Sequence, residues 1–143
     1  MIVLPRSALD AIARSAEAIY PEECCGLLVG SRDPVGTVVV SRVVAARNVA
    51  PSDRGRHFEV DPQVRFDLMR ALREGGGREA IIGHYHSHPD HPACPSREDA
   101  AMAHEPDLIW LITAVPGGRA GETAAFRFDA AAARFARVPL VVR

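Results

Sequence analysis

The chain has 143 residues, of which 48% are hydrophobic and 24% charged, with a formal net charge of −1. That length fits one domain, able to bury roughly two thirds of its unfolded surface without disulfide staples. The charge excludes the basic field that non-specific nucleic-acid binding needs, and no apolar run approaches the ~18 residues of a membrane span. All 17 basic residues are arginine; base composition of a GC-rich genome accounts for this, although it also leaves no side-chain amine for isopeptide modification. Cys24, Cys25 and Cys94 are odd in number, and adjacent cysteines rarely bridge. With no signal-peptide pattern at the start, a reducing, cytoplasmic setting is expected.

In chain order, Leu9, Ile12, Ala13, Ala16 and Ile19 predict a helix over 7–19 that Pro21 ends. The short apolar run Cys24 to Gly30 reads as a buried strand, and the Val-rich segment 36–49 as a second. Residues 50–58 are polar and turn-rich, an exposed loop. Asp61-Pro62 is an N-cap with proline at the first helical position, opening a helix that stops at Gly75-Gly76-Gly77. Ala80 to His88 is a strand, 89–95 a Pro-rich loop, and Ser96 starts a third helix expected to end near Pro106. Three further strands are predicted over 108–115, 123–129 and 134–141. Helices and strands interleave and the last strands follow as hairpins, so the expected fold is α/β, a single domain with a mixed β-sheet flanked by helices.

The segment from His84 to Asp99 carries the chemistry. His86-Ser87-His88-Pro89 followed by Ser96 and Asp99 reads H-x-H-P-x6-S-x-x-D. Side chains alternate along a strand, so His84, His86 and His88 share one face. A polar ladder on a buried strand is costly unless something binds it. Two histidines and one further ligand leave a position for water, the pattern of catalytic zinc. Asp99 reaches the histidines if the 89–95 loop folds back over the strand end; Cys94 is the rival ligand. Ser96 and Asp99 also match a capping box, and a carboxylate on a metal is less free to cap. A cysteine nucleophile with a histidine base is conceivable for Cys94. The H-x-E and P-C-x-x-C pattern of zinc deaminases is absent. Hydrolysis also wants a general base, and no Glu follows the histidine pair. Glu22 and Glu23, at the mouth of the first buried strand, are the carboxylates to weigh against plain solvation.

Taken together, Pro21-Glu22-Glu23-Cys24-Cys25-Gly26-Leu27-Leu28-Val29-Gly30, Gly83-His84-Tyr85-His86-Ser87-His88-Pro89 and Pro95-Ser96-Arg97-Glu98-Asp99 resemble the JAMM (MPN-plus) metallopeptidases, and the short bacterial members most. The resemblance spans nearly the whole chain, 1–143. It implies a cytidine-deaminase-like α/β fold and a Zn2+ cofactor held by His86, His88 and Asp99. It also implies Glu23 as the catalytic base, with Glu22 the off-by-one alternative, and Ser96 as donor to the oxyanion. His84 falls where many relatives carry an aromatic, so no role carries over to it. The implied reaction is cleavage of an amide or isopeptide bond next to the C-terminus of a ubiquitin-like or sulfur-carrier protein ending in Gly-Gly. A homodimer is an allowed assembly. Two rival readings stand beside it. One is a non-catalytic MPN-type scaffold, whose mark would be lost site residues. The other is a zinc amidase acting on small metabolites or cell-wall peptides, for which a closed pocket would speak.

Overall fold

The computed structural model describes residues 1–105 and 107–143. In chain order its elements are β1 (Ile2–Leu4), α1 (Arg6–Ile19), β2 (Cys25–Arg32), β3 (Val38–Ala46), α2 (Pro62–Glu74), β4 (Ala80–Pro89), α3 (Arg97–Ala101), β5 (Ile109–Val115), β6 (Thr123–Asp129), β7 (Arg134–Val138) and β8 (Leu140–Val142). The strands form one mixed sheet in the order β7-β6-β5-β4-β2-β3-β1-β8. The β4–β5, β1–β3 and β1–β8 pairs are parallel, and the others antiparallel. This is the expected mixed α/β domain. No helix among the described residues is long and apolar enough to cross a membrane.

The elements form where their sequences favour them. In α1, Ala8, Ile12 and Ala16 recur every fourth residue and bury one stripe of the helix. That stripe packs with Leu28, Tyr85 and Leu111 on one face of the sheet. Ile12 and Leu28 are fully buried, each contributing about 1.5–3 kcal/mol. On the other face α2 lays Leu68 against Leu27 and Val29. Asp61 caps α2 by accepting from the Gln63 N–H at 3.0 Å. Gly76 lies just past the end of α2 at φ +62°, where a side chain is strained.

Three details differ from expectation, each for a physical reason. The short strand β1 has no periodicity to betray it; it exists because β3 and β8 pair with its two edges. The last strand, expected whole over 134–141, is divided at Pro139, which has no N–H to give a ladder. Its two halves go to opposite ends of the strand order, and the Pro139 carbonyl accepts from the Ile2 N–H at 2.8 Å. The third helix stops at Ala101 rather than near Pro106, which lies outside the described residues. Met102 already bonds in the tighter i−3 pattern to Asp99, and the polar His104 and Glu105 continue no apolar stripe.

β4 is central and carries a bulge that sets its faces. Leu28 pairs with Gly83 while Val29 pairs with Ile81, so Ile82 is an extra residue. Ile81 therefore packs on the α2 side, and Ile82 and Tyr85 on the α1 side. Past the bulge the histidines all face away from α1. Gly83 lies tight against β5: a Cβ there would run into the main chain of Ile109, above all its carbonyl oxygen. Gly83→Ala is expected to cost at least about 2–3 kcal/mol, because backbone must move. Denaturant unfolding would read it as a lower midpoint at unchanged m-value.

Candidate active site

Three side chains converge at the C-terminal end of β4. His86 Nε2 and His88 Nε2 lie 3.1 Å apart. Asp99 inserts one carboxylate oxygen toward each, Oδ1 at 3.1 Å from His86 and Oδ2 at 3.0 Å from His88. Ligand atoms around a tetrahedral ion with bonds of about 2.0–2.1 Å sit about 3.3 Å apart, so the spacing suits a shared ion. Glu23, His86 and His88 form a buried group whose ligand-type atoms lie within 4.8 Å of one another, able to hold a metal.

The surroundings orient these groups. His88 Nδ1 lies 2.8 Å from the Pro92 carbonyl, which assigns the ring proton to Nδ1 and leaves the Nε2 lone pair free. His86 has a buried Nδ1 without a partner; its ring is held instead by Phe58, stacked at 4.2 Å and 15°. Burial lowers the His86 pKa and keeps the ring neutral, against the pull of Asp99. Burial alone would raise the Asp99 carboxyl. The neighbouring His86, the close approach of His88 and a hydrogen bond from the Ser96 N–H outweigh it and hold Asp99 well below the usual carboxylate range.

The capping box is formed, and its carboxylate is the one that meets the histidines. Ser96 Oγ accepts from the Asp99 N–H at 3.0 Å, and Asp99 Oδ2 accepts from the Ser96 N–H at 2.8 Å. Asp99 therefore caps α3 with the same carboxylate that meets the histidines. The cap uses Ser96 Oγ only as an acceptor, so its own proton stays available to donate. Ser96 lines one cavity together with Glu23 and His88.

Glu23 is buried at 3% exposure, and its Oε1 has no partner. Burial, then the charges of Asp99, Glu98 and Asp53, push its pKa up to about 9. Glu22, by contrast, is half-exposed and pairs with Arg54 at 3.9 Å. The structure thus brings Glu23, and not Glu22, to the histidines. Cys94 is exposed at the rim of the same cavity. His84 sits against Trp110 with ring centroids 4.2 Å apart. Burial, then His86, lowers its pKa to about 3, so the ring stays neutral.

Two supporting residues escaped the sequence reading. Phe58 lies in the loop read only as exposed, and nothing in 50–58 marks it beyond being the lone aromatic there. Ser87 Oγ accepts from the Cys24 N–H at 2.8 Å and the Ser87 N–H donates to the Cys24 carbonyl at 3.1 Å, tying β4 to the segment after Glu23. Its position between two site histidines was the available signal.

A mixed sheet whose central strand ends in two histidines met by a carboxylate defines a class, and comparison with known proteins gives it a family. The family model described as prokaryotic homologs of the JAB domain matches residues 5–129. The chain is 35% identical over 113 residues to the desampylase of Haloferax volcanii, covering 79% of this chain and 76% of that protein. It is 26% identical over 127 residues to the CysO-cysteine peptidase of Mycobacterium tuberculosis, covering 89% and 82%. A solution structure of a protein from Desulfitobacterium hafniense superposes with a TM-score of 0.84 at 28% identity, over 100% of this chain and 93% of that one. The chain belongs to the prokaryotic JAB-domain family, of JAMM type, and a hydrolase is the class that this membership supports.

Proposed function

We propose that the protein is a zinc-dependent metallopeptidase that cleaves an amide or isopeptide bond at the C-terminus of a ubiquitin-like or sulfur-carrier protein ending in Gly-Gly. The observation that carries this reading is the convergence of His86, His88 and Asp99 at 3.0–3.1 Å beside a buried Glu23 whose Oε1 has no partner. In it, His86, His88 and Asp99 hold the zinc ion. Zinc, when bound, supplies a water acidic enough to lose a proton near pH 7 and a positive charge for the carbonyl oxygen. Glu23 takes the proton from the attacking water at Oε1 and delivers it to the departing amine. A dication nearby opposes the burial that raises the Glu23 pKa and favours the ionised base. Ser96 donates its free O–H to the carbonyl oxygen as that atom gains charge.

The shape around the site supports a polypeptide tail. The cavity holding Glu23 and Ser96 measures about 330 Å³. It shares Arg56 and Glu98 with a second of about 300 Å³. That one shares Phe58, Glu59 and Met102 with a third of about 240 Å³. Three cavities that share lining residues in this way suit an extended chain better than a compact metabolite. The relatives named desampylase and CysO-cysteine peptidase point the same way. The reading takes residues 1–143 as one peptidase domain in a reducing, cytoplasmic setting, to which three free thiols are suited.

The test incubates the zinc-loaded protein with Gly-Gly carrier proteins extended through an amide, either by one amino acid or by a lysine ε-amine, and reads product masses. Release of a carrier ending in Gly-Gly is expected. Cleavage of small acyl amides alone, with every carrier left intact, would overturn the substrate class.

Ser96→Ala separates the capping role of this hydroxyl from its catalytic one. Losing the cap costs about 0.5–2 kcal/mol of stability. Losing an oxyanion donor costs roughly 10²–10³-fold in turnover, with little change in substrate affinity. Both losses are expected together, in a melting curve and in kcat. Full activity in a destabilised variant would leave Ser96 with the cap alone.

A further inference from the structure

Glu23 has an unusual hold on its surroundings. Its carboxylate Oε1 makes no hydrogen bond, so the side chain is aimed by its main chain and by packing. Both main-chain polar groups of Glu23 end on the segment 48–59. The Glu23 N–H donates to the Arg54 carbonyl at 2.7 Å. The Glu23 carbonyl accepts from Asn48 Nδ2 at 3.0 Å.

Asn48 is the joint of that segment. It follows β3 and is 8% exposed. Nδ2 donates a second time, to the His57 carbonyl at 2.9 Å. Oδ1 accepts from the Ala50 N–H and the Glu59 N–H, each at 3.1 Å. One planar amide therefore satisfies four main-chain groups, two as donor and two as acceptor, and no other residue type offers that set at this size. The acceptor pair closes the 50–59 loop on itself. The donor pair ties Glu23 to that loop through His57, the residue preceding Phe58, the ring stacked on His86.

We propose that Asn48 is the positioning residue for Glu23, locking the main chain of the base to the loop that borders the cavity. The inference rests on the assignment of Glu23 as the base. It gives a function to a polar side chain that lies outside every motif of the sequence. A displacement of the base by about 1 Å is enough to cost on the order of 10²-fold in rate. The position of Glu23 is thus where Asn48 acts on catalysis, while the ion is held by groups on β4 and α3.

Asn48→Asp is the discriminating change. It keeps the shape and the two acceptors facing Ala50 and Glu59, and replaces the two donors with lone pairs facing carbonyl oxygens. Turnover is measured on the amide-extended Gly-Gly carrier that the wild-type zinc protein cleaves, for Asn48→Asp, Glu23→Gln and the double variant. Zinc content and melting temperature are read beside it. Asn48→Asp is expected to lower kcat by about 10–100-fold with KM and zinc content unchanged. In the Glu23→Gln background it is expected to lower kcat by no more than about twofold further. If the aspartate destabilises the fold too far to isolate, Asn48→Ser, neutral and too short to span the four groups, runs through the same cycle. Losses that multiply in the double variant, lost zinc, or full activity in the single variant would each overturn the proposal. Full activity in Glu23→Gln alone would instead overturn the assignment of the base, before the Asn48 arm is read.

Discussion

Glu23→Gln is expected to keep zinc and fold and to lose turnover by about 10²–10⁴-fold, since the amide preserves shape but cannot take a proton. The same substitution has an opposite effect on the stability of the metal-free protein. The folded pKa of Glu23 is raised from 4.5 to about 9 by burial and by Asp99, Glu98 and Asp53. Between those two values the folded state keeps a proton that the unfolded state has released. Stability therefore falls as pH rises through this window, and nothing is lost below it. At pH 7 the cost is on the order of 3 kcal/mol. Removing the carboxyl removes the cost. Under chelator, Glu23→Gln is expected to melt roughly 5–10 °C above wild type at neutral pH, with the gap closing toward pH 4–5. Melting curves across pH check the stability arm, and kcat checks the catalytic one. A dead enzyme with no stability gain would mean that Glu23 is better solvated than its burial implies. Turnover surviving in Glu23→Gln and lost in Glu22→Gln would move the base by one residue.

Which of the two glutamates meets the histidines was only half legible in the sequence. Two adjacent glutamates before an apolar strand leave two registers open, and periodicity cannot choose between them. The structure separates them by burial: Glu23 turns inward, while Glu22 meets Arg54 outside. The histidines were easier, since a period of two on a strand fixes a shared face. Even there the parity upstream of Gly83 depended on the bulge at Ile82, which the apolar run Ala80 to Ile82 does not announce. For Ser96 and Asp99 the sequence posed a choice between cap and site. The geometry shows the cap and leaves room for the proposed roles beside it, because the carboxylate has enough lone pairs for both and the hydroxyl caps only as an acceptor. Asn48 and Phe58 were invisible because Glu23 and His86, which they meet, lie 25 or more residues away in the chain, and a polar loop carries no period. The halves of the final strand were hidden for the same reason: which end of a sheet a strand joins is a tertiary outcome.

One zinc ion per chain is expected, and His86→Ala or His88→Ala is expected to abolish it. Each substitution removes one of the three side chains proposed as ligands, whose polar atoms meet pairwise at 3.0–3.1 Å. Two ligands leave too little affinity to hold the ion against chelator. The His88 change carries an extra consequence, since its Nδ1–H also fastens the 89–95 loop through the Pro92 carbonyl. Metal-free His88→Ala is thus expected to be less stable than metal-free wild type, whereas His86→Ala loses chiefly the stacking of Phe58. Zinc is expected to raise the stability of wild type by about 2.7 kcal/mol at a hundredfold excess over Kd, and that of neither variant. Cys94→Ser serves as the control, because Cys94 lies exposed at the cavity rim while the converging atoms are buried. Metal analysis after dialysis, paired with melting with and without zinc, reads all of these at once. Zinc retained by His86→Ala and lost by Cys94→Ser would move the third ligand from the histidine ladder to the loop.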